Sequence, residues 1–349
     1  MKTISVETIR AWLEEGRSVT ILDVRPTAEW AEWAIPGSIH VDAYDALKAR
    51  YPAALADVEV PSDVRVVTVC AAGKTSLVAA QQLQTRGLQA LSLDGGMKAW
   101  SLAWNTAEVP VHASHVRIIQ VRRTGKGCLS YLIGAGEEAL VIDAALDQQV
   151  YLDLASKYGW QITSVFDTHI HADHLSRSRQ LAERSGATLF LPAQQRVSFP
   201  FTAMRDGNTL AMPTMLLTAL HTAGHTMEST CYLLNNHILF TGDTLFPTGI
   251  GRPDLEADEQ QARVRASALY HSLHKLLALP SDTLVLPGHT STPVPFDGIL
   301  CATPSTVLAR RGVCPGWALT LASLRARVAW TRPSRGGTAR TCLRWYGRL

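Results

Sequence analysis

The stretch Thr168-His169-Ile170-His171-Ala172-Asp173-His174 constrains this chain more than any other. It follows a short run patterned as a strand (residues 164–167) and precedes one with helical spacing (about 176–185). Three imidazoles and a carboxylate within six positions are costly to bury side by side unless their lone pairs share an acceptor, and a metal ion is the usual one. The fold must therefore bring this turn to a place that an ion and its substrate can reach.

Three further residues of ligand type stand in equivalent places. His225 lies in His221-Thr222-Ala223-Gly224-His225-Thr226, Asp243 in Phe240-Thr241-Gly242-Asp243-Thr244, and His289 closes Leu286-Pro287-Gly288-His289. Each follows a strand pattern, and strand-end loops are where the sites of sheet proteins collect. His169, His171, Asp173, His174, His225, Asp243 and His289 thus form one candidate metal constellation.

At 349 residues the chain exceeds one ordinary core and suits two domains. An apolar content of 46% with 18% charged residues fits a soluble globular protein. The beginning of the sequence lacks the basic, apolar and small-residue segments of an export signal, and no run reaches about 18 consecutive apolar residues. The expectation is a cytoplasmic protein with no membrane contact. The six cysteines, Cys70, Cys128, Cys231, Cys301, Cys314 and Cys342, form no CxxC pair, which argues against a disulfide framework or a thiolate zinc site. Cys128 and Cys231 sit in apolar strand patterns and are expected in the core.

Residues 1–104 alternate helical and strand patterns: a helix over 4–16, strands over 19–24, 65–69 and 91–93, and a helix over 75–86. Such alternation predicts a parallel sheet with flanking helices. Residues 105–115 are polar with a proline and no clear period, so a linker is expected there. Over 116–300, two rounds of strands followed by a helix predict an αββα sandwich. Residues 301–349 hold nine of the 33 basic residues, all arginine, and no acidic residue, leaving 24 basic against 30 acidic groups in the body. This Arg-rich tail is expected to be poorly ordered and not catalytic, and no nucleic-acid partner is inferred from it.

The strand over 65–69 runs into Cys70-Ala71-Ala72-Gly73-Lys74-Thr75-Ser76, and a helix follows at once. A thiol so placed meets converging backbone N–H groups and the positive end of a helix, which favours a thiolate and cradles an anion. That suits a nucleophile which becomes a persulfide, with Gly73, Lys74 and Thr75 contacting the substrate. The Gly73-Lys74-Thr75 run mimics the end of a phosphate-binding loop, but the glycine required five residues earlier is Thr68.

Residues 1–104 resemble rhodanese, through Leu22-Asp23-Val24-Arg25, Glu29, Ile35-Pro36-Gly37-Ser38-Ile39, the Cys70 loop and Leu93-Asp94-Gly95-Gly96-Met97-Lys98-Ala99-Trp100. The resemblance implies sulfurtransferase activity of the thiosulfate type with Cys70 as catalytic residue. Many rhodaneses carry arginine at the sixth loop position, where this chain has Thr75.

Residues 116–296 resemble the metallo-β-lactamase superfamily through the seven ligand-type residues. Within it they look most like the persulfide dioxygenases, whose GRxD segment stands here as Gly251-Arg252-Pro253-Asp254. That resemblance implies one Fe(II) per chain on His169, His225 and Asp243, a face that leaves room for O2 and a substrate sulfur together. His171, Asp173, His174 and His289 would orient the ligands or hold a second metal, and Arg252 would hold a substrate carboxylate. The implied substrates are O2 and a small-molecule thiol persulfide, glutathione persulfide foremost, with sulfite and a thiol as products. A homodimer is left open. The chain departs from that family at Thr290-Ser291, where an Asp-Tyr pair is usual, and at Ile250, where a cysteine is often found. The alternative is a thioester hydrolase resembling glyoxalase II, with all seven residues on two zinc ions.

Overall fold

A computed structural model describes residues 2–61, 63–111, 115–172, 175–246, 249–255, 257–280 and 282–290. The Arg-rich tail over 301–349 lies outside these, as do Asp173 and His174. The chain divides into two compact units, one built on Met1–Pro110 with Ile119–Ser130 and the other on Tyr131–His289.

The first unit contains β1 (Thr3–Ile4), α1 (Val6–Glu14), β2 (Val19–Asp23), α2 (Thr27–Glu32), β3 (Ile39–His40), α3 (Tyr44–Lys48), β4 (Arg65–Val69), α4 (Lys74–Thr85), β5 (Ala90–Leu93) and α5 (Gly96–Trp100). Its sheet has the order β1-β5-β4-β2-β3, and every pairing is parallel. The period of two along each strand sends alternate residues to opposite faces. Leu22 and Val66 join one core with Leu47, Ala79 and Leu83, while Ile21 and Val67 join the other with Ile9, Met97 and Trp100. Both faces of the sheet are thereby covered, as a parallel sheet requires. Ser5 caps α1, its side chain accepting the Thr8 N–H.

The stretch expected as a linker carries a strand instead, β6 (Trp104–Val109), and β7 (Arg117–Arg123) follows. Along β6, Asn105, Ala107 and Val109 are buried and the residues between them are not. The strand period was hidden because its inward positions include a polar side chain, satisfied here by the buried Arg122, whose Nε donates to Asn105 Oδ1 at 2.8 Å.

The second unit contains β8 (Leu129–Ala135), β9 (Glu138–Ile142), α6 (Gln148–Lys157), β10 (Gln161–Phe166), α7 (Ser178–Ser185), β11 (Thr188–Pro192), β12 (Thr202–Met204), β13 (Thr209–Met212), β14 (Met215–His221), β15 (Thr230–Leu234), β16 (Ile238–Gly242), β17 (Leu245–Phe246), β18 (Gly249–Ile250), α8 (Glu259–Leu277) and β19 (Leu284–Pro287). One sheet runs β12-β11-β10-β9-β8 and a second runs β13-β14-β15-β16-β19. Aromatic pairs link the two faces: Tyr131 with Phe240 at 5.0 Å between ring centroids, and Phe166 with Tyr232 at 5.1 Å. On the outer side of the second sheet, Leu269, Leu273 and Leu276 of α8 pack on Cys231, Leu233, Leu239 and Val285. The αββα sandwich is thus formed. Cys128 and Cys231 are buried, as expected, and burial pushes the Cys231 thiol up to about 11. Among the described residues, no helix is long and apolar enough to cross a membrane.

Candidate metal centre and the Cys70 loop

His169 comes three residues after β10, on a turn fixed from both sides. Thr230 N donates to Thr168 O at 2.8 Å, and Tyr232 OH donates to Asp167 O at 3.0 Å. Thr168 in turn donates its N–H to Asp143 Oδ1 at 2.7 Å, and its hydroxyl lies 3.0 Å from His169 Nδ1. The imidazole is 2% exposed, and its Nε2 is buried with no hydrogen-bond partner. A buried polar nitrogen left so is costly unless something else occupies its lone pair.

His225 is presented by a tight turn in which Thr222 N donates to Ser229 O at 2.8 Å and Gly224 N to Thr226 O at 2.8 Å. Its Nδ1 lies 3.2 Å from Arg252 O. A carbonyl only accepts, so Nδ1 carries the proton in the neutral ring and Nε2 carries the lone pair. That Nε2 faces Asp243 Oδ2 at 3.8 Å. Asp243 follows β16, and its other oxygen, Oδ1, meets His289 Nδ1 at 2.7 Å.

His169, His225 and Asp243 each offer a donor atom within 4.8 Å of the others. Two imidazoles and a carboxylate around a common gap, one nitrogen orphaned, fit a transition-metal ion such as Fe(II) or zinc. The protonation states agree. Burial first, then the neighbouring charge of His171, pulls the His169 imidazole down to about 3, so it stays neutral. Burial opposes ionisation of Asp243, yet His289, His169 and His225 together hold its carboxyl below the usual range. These are the forms that metal binding demands.

His171 is placed differently. Its Nε2 lies 3.1 Å from Asp143 Oδ1 and 3.9 Å from Asp167 Oδ1, and these three residues form a second cluster. Burial alone would lower this imidazole, but the Asp143 carboxylate outweighs it and raises His171 to about 9. Asp143 is correspondingly held low against its own burial, while burial raises Asp167. Neither aspartate figures among the expected site residues. Asp143 closes a strand just as Asp243 does, and that position was the available signal. It also holds φ of +56°, tolerable for aspartate, with Thr168 and His171 gripping its carboxylate. Asp173 and His174 fall outside the described residues.

Arg252 reaches the site by its backbone, while its guanidinium is bidentate on Asp254, at 3.1 and 3.0 Å. The preceding glycine is dictated by space, because a Cβ on Gly251 would stand 1.9 Å from Asp243 O and 3.0 Å from His225 Cβ.

In the first unit, Cys70 follows β4 and is 2% exposed, and Ser76 Oγ donates to its Sγ at 3.3 Å. Lys74 and Thr75 open α4 behind Gly73, which holds φ of +82°. Met97 N donates to Cys70 O at 2.8 Å, and Lys98 N to Ala71 O at 3.0 Å. The approach is so close that a Cβ on Gly96 would lie 2.2 Å from Cys70 O. The Gly95-Gly96-Met97-Lys98 run is therefore the clasp of the Cys70 loop.

Residues 123–289 match the metallo-beta-lactamase superfamily, and residues 5–103 match the rhodanese-like domain. The chain joins a rhodanese-like domain to a metallo-β-lactamase domain. Curated relatives include a hydroxyacylglutathione hydrolase from Rhizobium johnstonii, 34% identical over 163 residues, or 46% of this chain and 57% of that protein. Another, from Brucella ovis, is 29% identical over 60% of this chain and 76% of its own length. The chain thus spans little more than half the length of the first of these. Among solved structures, a metallo-beta-lactamase from Staphylococcus aureus aligns with a TM-score of 0.55 at 25% identity, covering 63% of this chain and 69% of that one. ETHE1 from Myxococcus xanthus aligns at 30% identity over 61% of this chain and 98% of its own, with a TM-score of 0.45.

Proposed function

We propose that the metallo-β-lactamase domain is a persulfide dioxygenase with one Fe(II) on His169, His225 and Asp243, and that Cys70 of the rhodanese-like domain handles sulfane sulfur. The observation that carries this reading is the division of labour among the histidines. His169 keeps a buried, unpartnered Nε2 beside His225 and Asp243, while His171 lies against Asp143 in a separate cluster. A face of two histidines and one carboxylate leaves an iron ion open positions for O2 and a sulfur ligand together.

The chain's own residues set up the rest. Arg252 O fixes the His225 tautomer, and His289 holds Asp243 in one rotamer. The Arg252 guanidinium, a planar bidentate donor, is suited to exchange Asp254 for a substrate carboxylate. The net reaction takes a persulfide, O2 and water to a thiol and sulfite, the water supplying the third sulfite oxygen. Cys70, aided by the Ser76 hydroxyl, attacks the outer sulfur of a persulfide and releases the carrier as its thiol, leaving a Cys70 persulfide, or passes that sulfur back to a thiol in the reverse exchange, with Gly73, Lys74 and Thr75 contacting the anion. Metal analysis with oxygen uptake on glutathione persulfide tests the reading: about one iron per chain and one O2 per persulfide are expected. Iron-loaded protein that consumes no oxygen contradicts it.

A second reading is favoured by a specific observation. Curated relatives named hydroxyacylglutathione hydrolase match part of this chain, and His289 stands beside Asp243. On that reading the domain hydrolyses a glutathione thioester with two zinc ions. Two zinc per chain, with thioester hydrolysis and no oxygen uptake, distinguishes it.

A further inference from the structure

Glu228 is a buried carboxylate for which the proposed chemistry has no use. It is 8% exposed and lies three residues beyond His225, at the end of the turn that presents that histidine. One oxygen, Oε1, accepts the backbone N–H of Ile170 at 3.3 Å and the Arg196 guanidinium at 2.8 Å. Ile170 stands between His169 and His171. The turn carrying His169 is thus tied to the 228–232 segment at alternate residues, by Glu228 to Ile170 N, by Thr230 N to Thr168 O and by Tyr232 OH to Asp167 O. A buried carboxylate costs stability unless it is paired, and its cation is an arginine whose side chain is 54% exposed, so charge pairing gives little reason to keep it inside.

We infer that Glu228 is a positioning residue for the metal centre. Its Oε1 fixes the peptide that follows His169 to the turn that carries His225, so that two ligands from different loops keep their nitrogens within reach of one ion. The role depends on reach, not on charge. Glutamine keeps an oxygen in place for both donors, whereas aspartate keeps the charge but draws the oxygen back by one methylene.

This rests on the metal-site reading above but not on which metal is native, so the probe is Co(II), titrated into metal-free full-length protein and followed by visible absorbance and chelator competition. Glu228→Gln is expected to bind within about threefold of the parent. Glu228→Asp should bind roughly 10–100-fold more weakly, the usual effect of losing an outer hydrogen-bond partner. Both metal-free variants should share the parent's unfolding midpoint. Equal affinity in all three proteins overturns the inference. So does a glutamine variant as weak as the aspartate one, or a weakening matched by a lower unfolding midpoint. A parent that binds no Co(II) contradicts the site reading itself, and the role of Glu228 with it.

Discussion

The metal centre and the Cys70 loop are both built at the ends of strands, but from different materials. At the metal centre, side chains from separate loops do the work: His169 after β10, His225 after β14 and Asp243 after β16 converge, and hydrogen bonds from their neighbours set tautomer and rotamer. In the Cys70 loop, backbone does most of it. Two N–H groups from Met97 and Lys98 pin the loop carbonyls, glycines make the approach possible, and the Ser76 hydroxyl reaches the sulfur. A site made of side chains can be dismantled by removing one group, while a site made of backbone fails when a methyl group is added.

Four substitutions or titrations sharpen that contrast. Asp243→Asn removes a charged ligand and is expected to cost more than the roughly 10–100-fold loss typical of an outer partner, with sulfurtransferase activity unchanged. Metal content and a thiosulfate:cyanide assay on the same preparation check both halves. Gly96→Ala should do the reverse. Its Cβ has only 2.2 Å to Cys70 O, so the Cys70 loop must shift, and sulfurtransferase activity should fall at least tenfold while metal content holds.

A smaller effect is expected for Ser76→Ala, which removes the donor on Cys70 Sγ. The same assay should show a loss of several-fold, on the scale of one ordinary hydrogen bond of about 1 kcal/mol. Of a different kind is the pH dependence of the metal-free protein. His171 titrates at about 9 in the folded chain against 6.5 for the free group, so Asp143 contributes stability that is complete below pH 6.5 and is lost as pH rises through 9. Denaturant midpoints of metal-free protein should decline over that window, and Asp143→Asn should flatten the decline.

The same contrast explains what the sequence revealed. Ligand types at strand ends are visible in one dimension, but that pattern offered seven residues as one constellation, of which His169, His225 and Asp243 lie together while His171 sits in a second cluster. The parallel sheet and the αββα sandwich were equally legible, because their strands are apolar on the faces they bury. The partners of the ligands were not. Asp143 and Asp167 are isolated aspartates in the sequence, and only the fold sets them beside His171, itself expected among the ligands. Glu228 was invisible for the same reason, since its partner is a backbone N–H 58 residues away. Strand β6 escaped because an inward asparagine broke its apolar alternation.

One ion is expected among His169, His225 and Asp243. Anomalous diffraction at the iron and zinc edges, from crystals of protein purified without added metal, tests it most directly. One iron peak within bonding distance of those three side chains is the predicted result. Two zinc peaks bridged by Asp243, with His171 turned from Asp143 onto one of them, would contradict it.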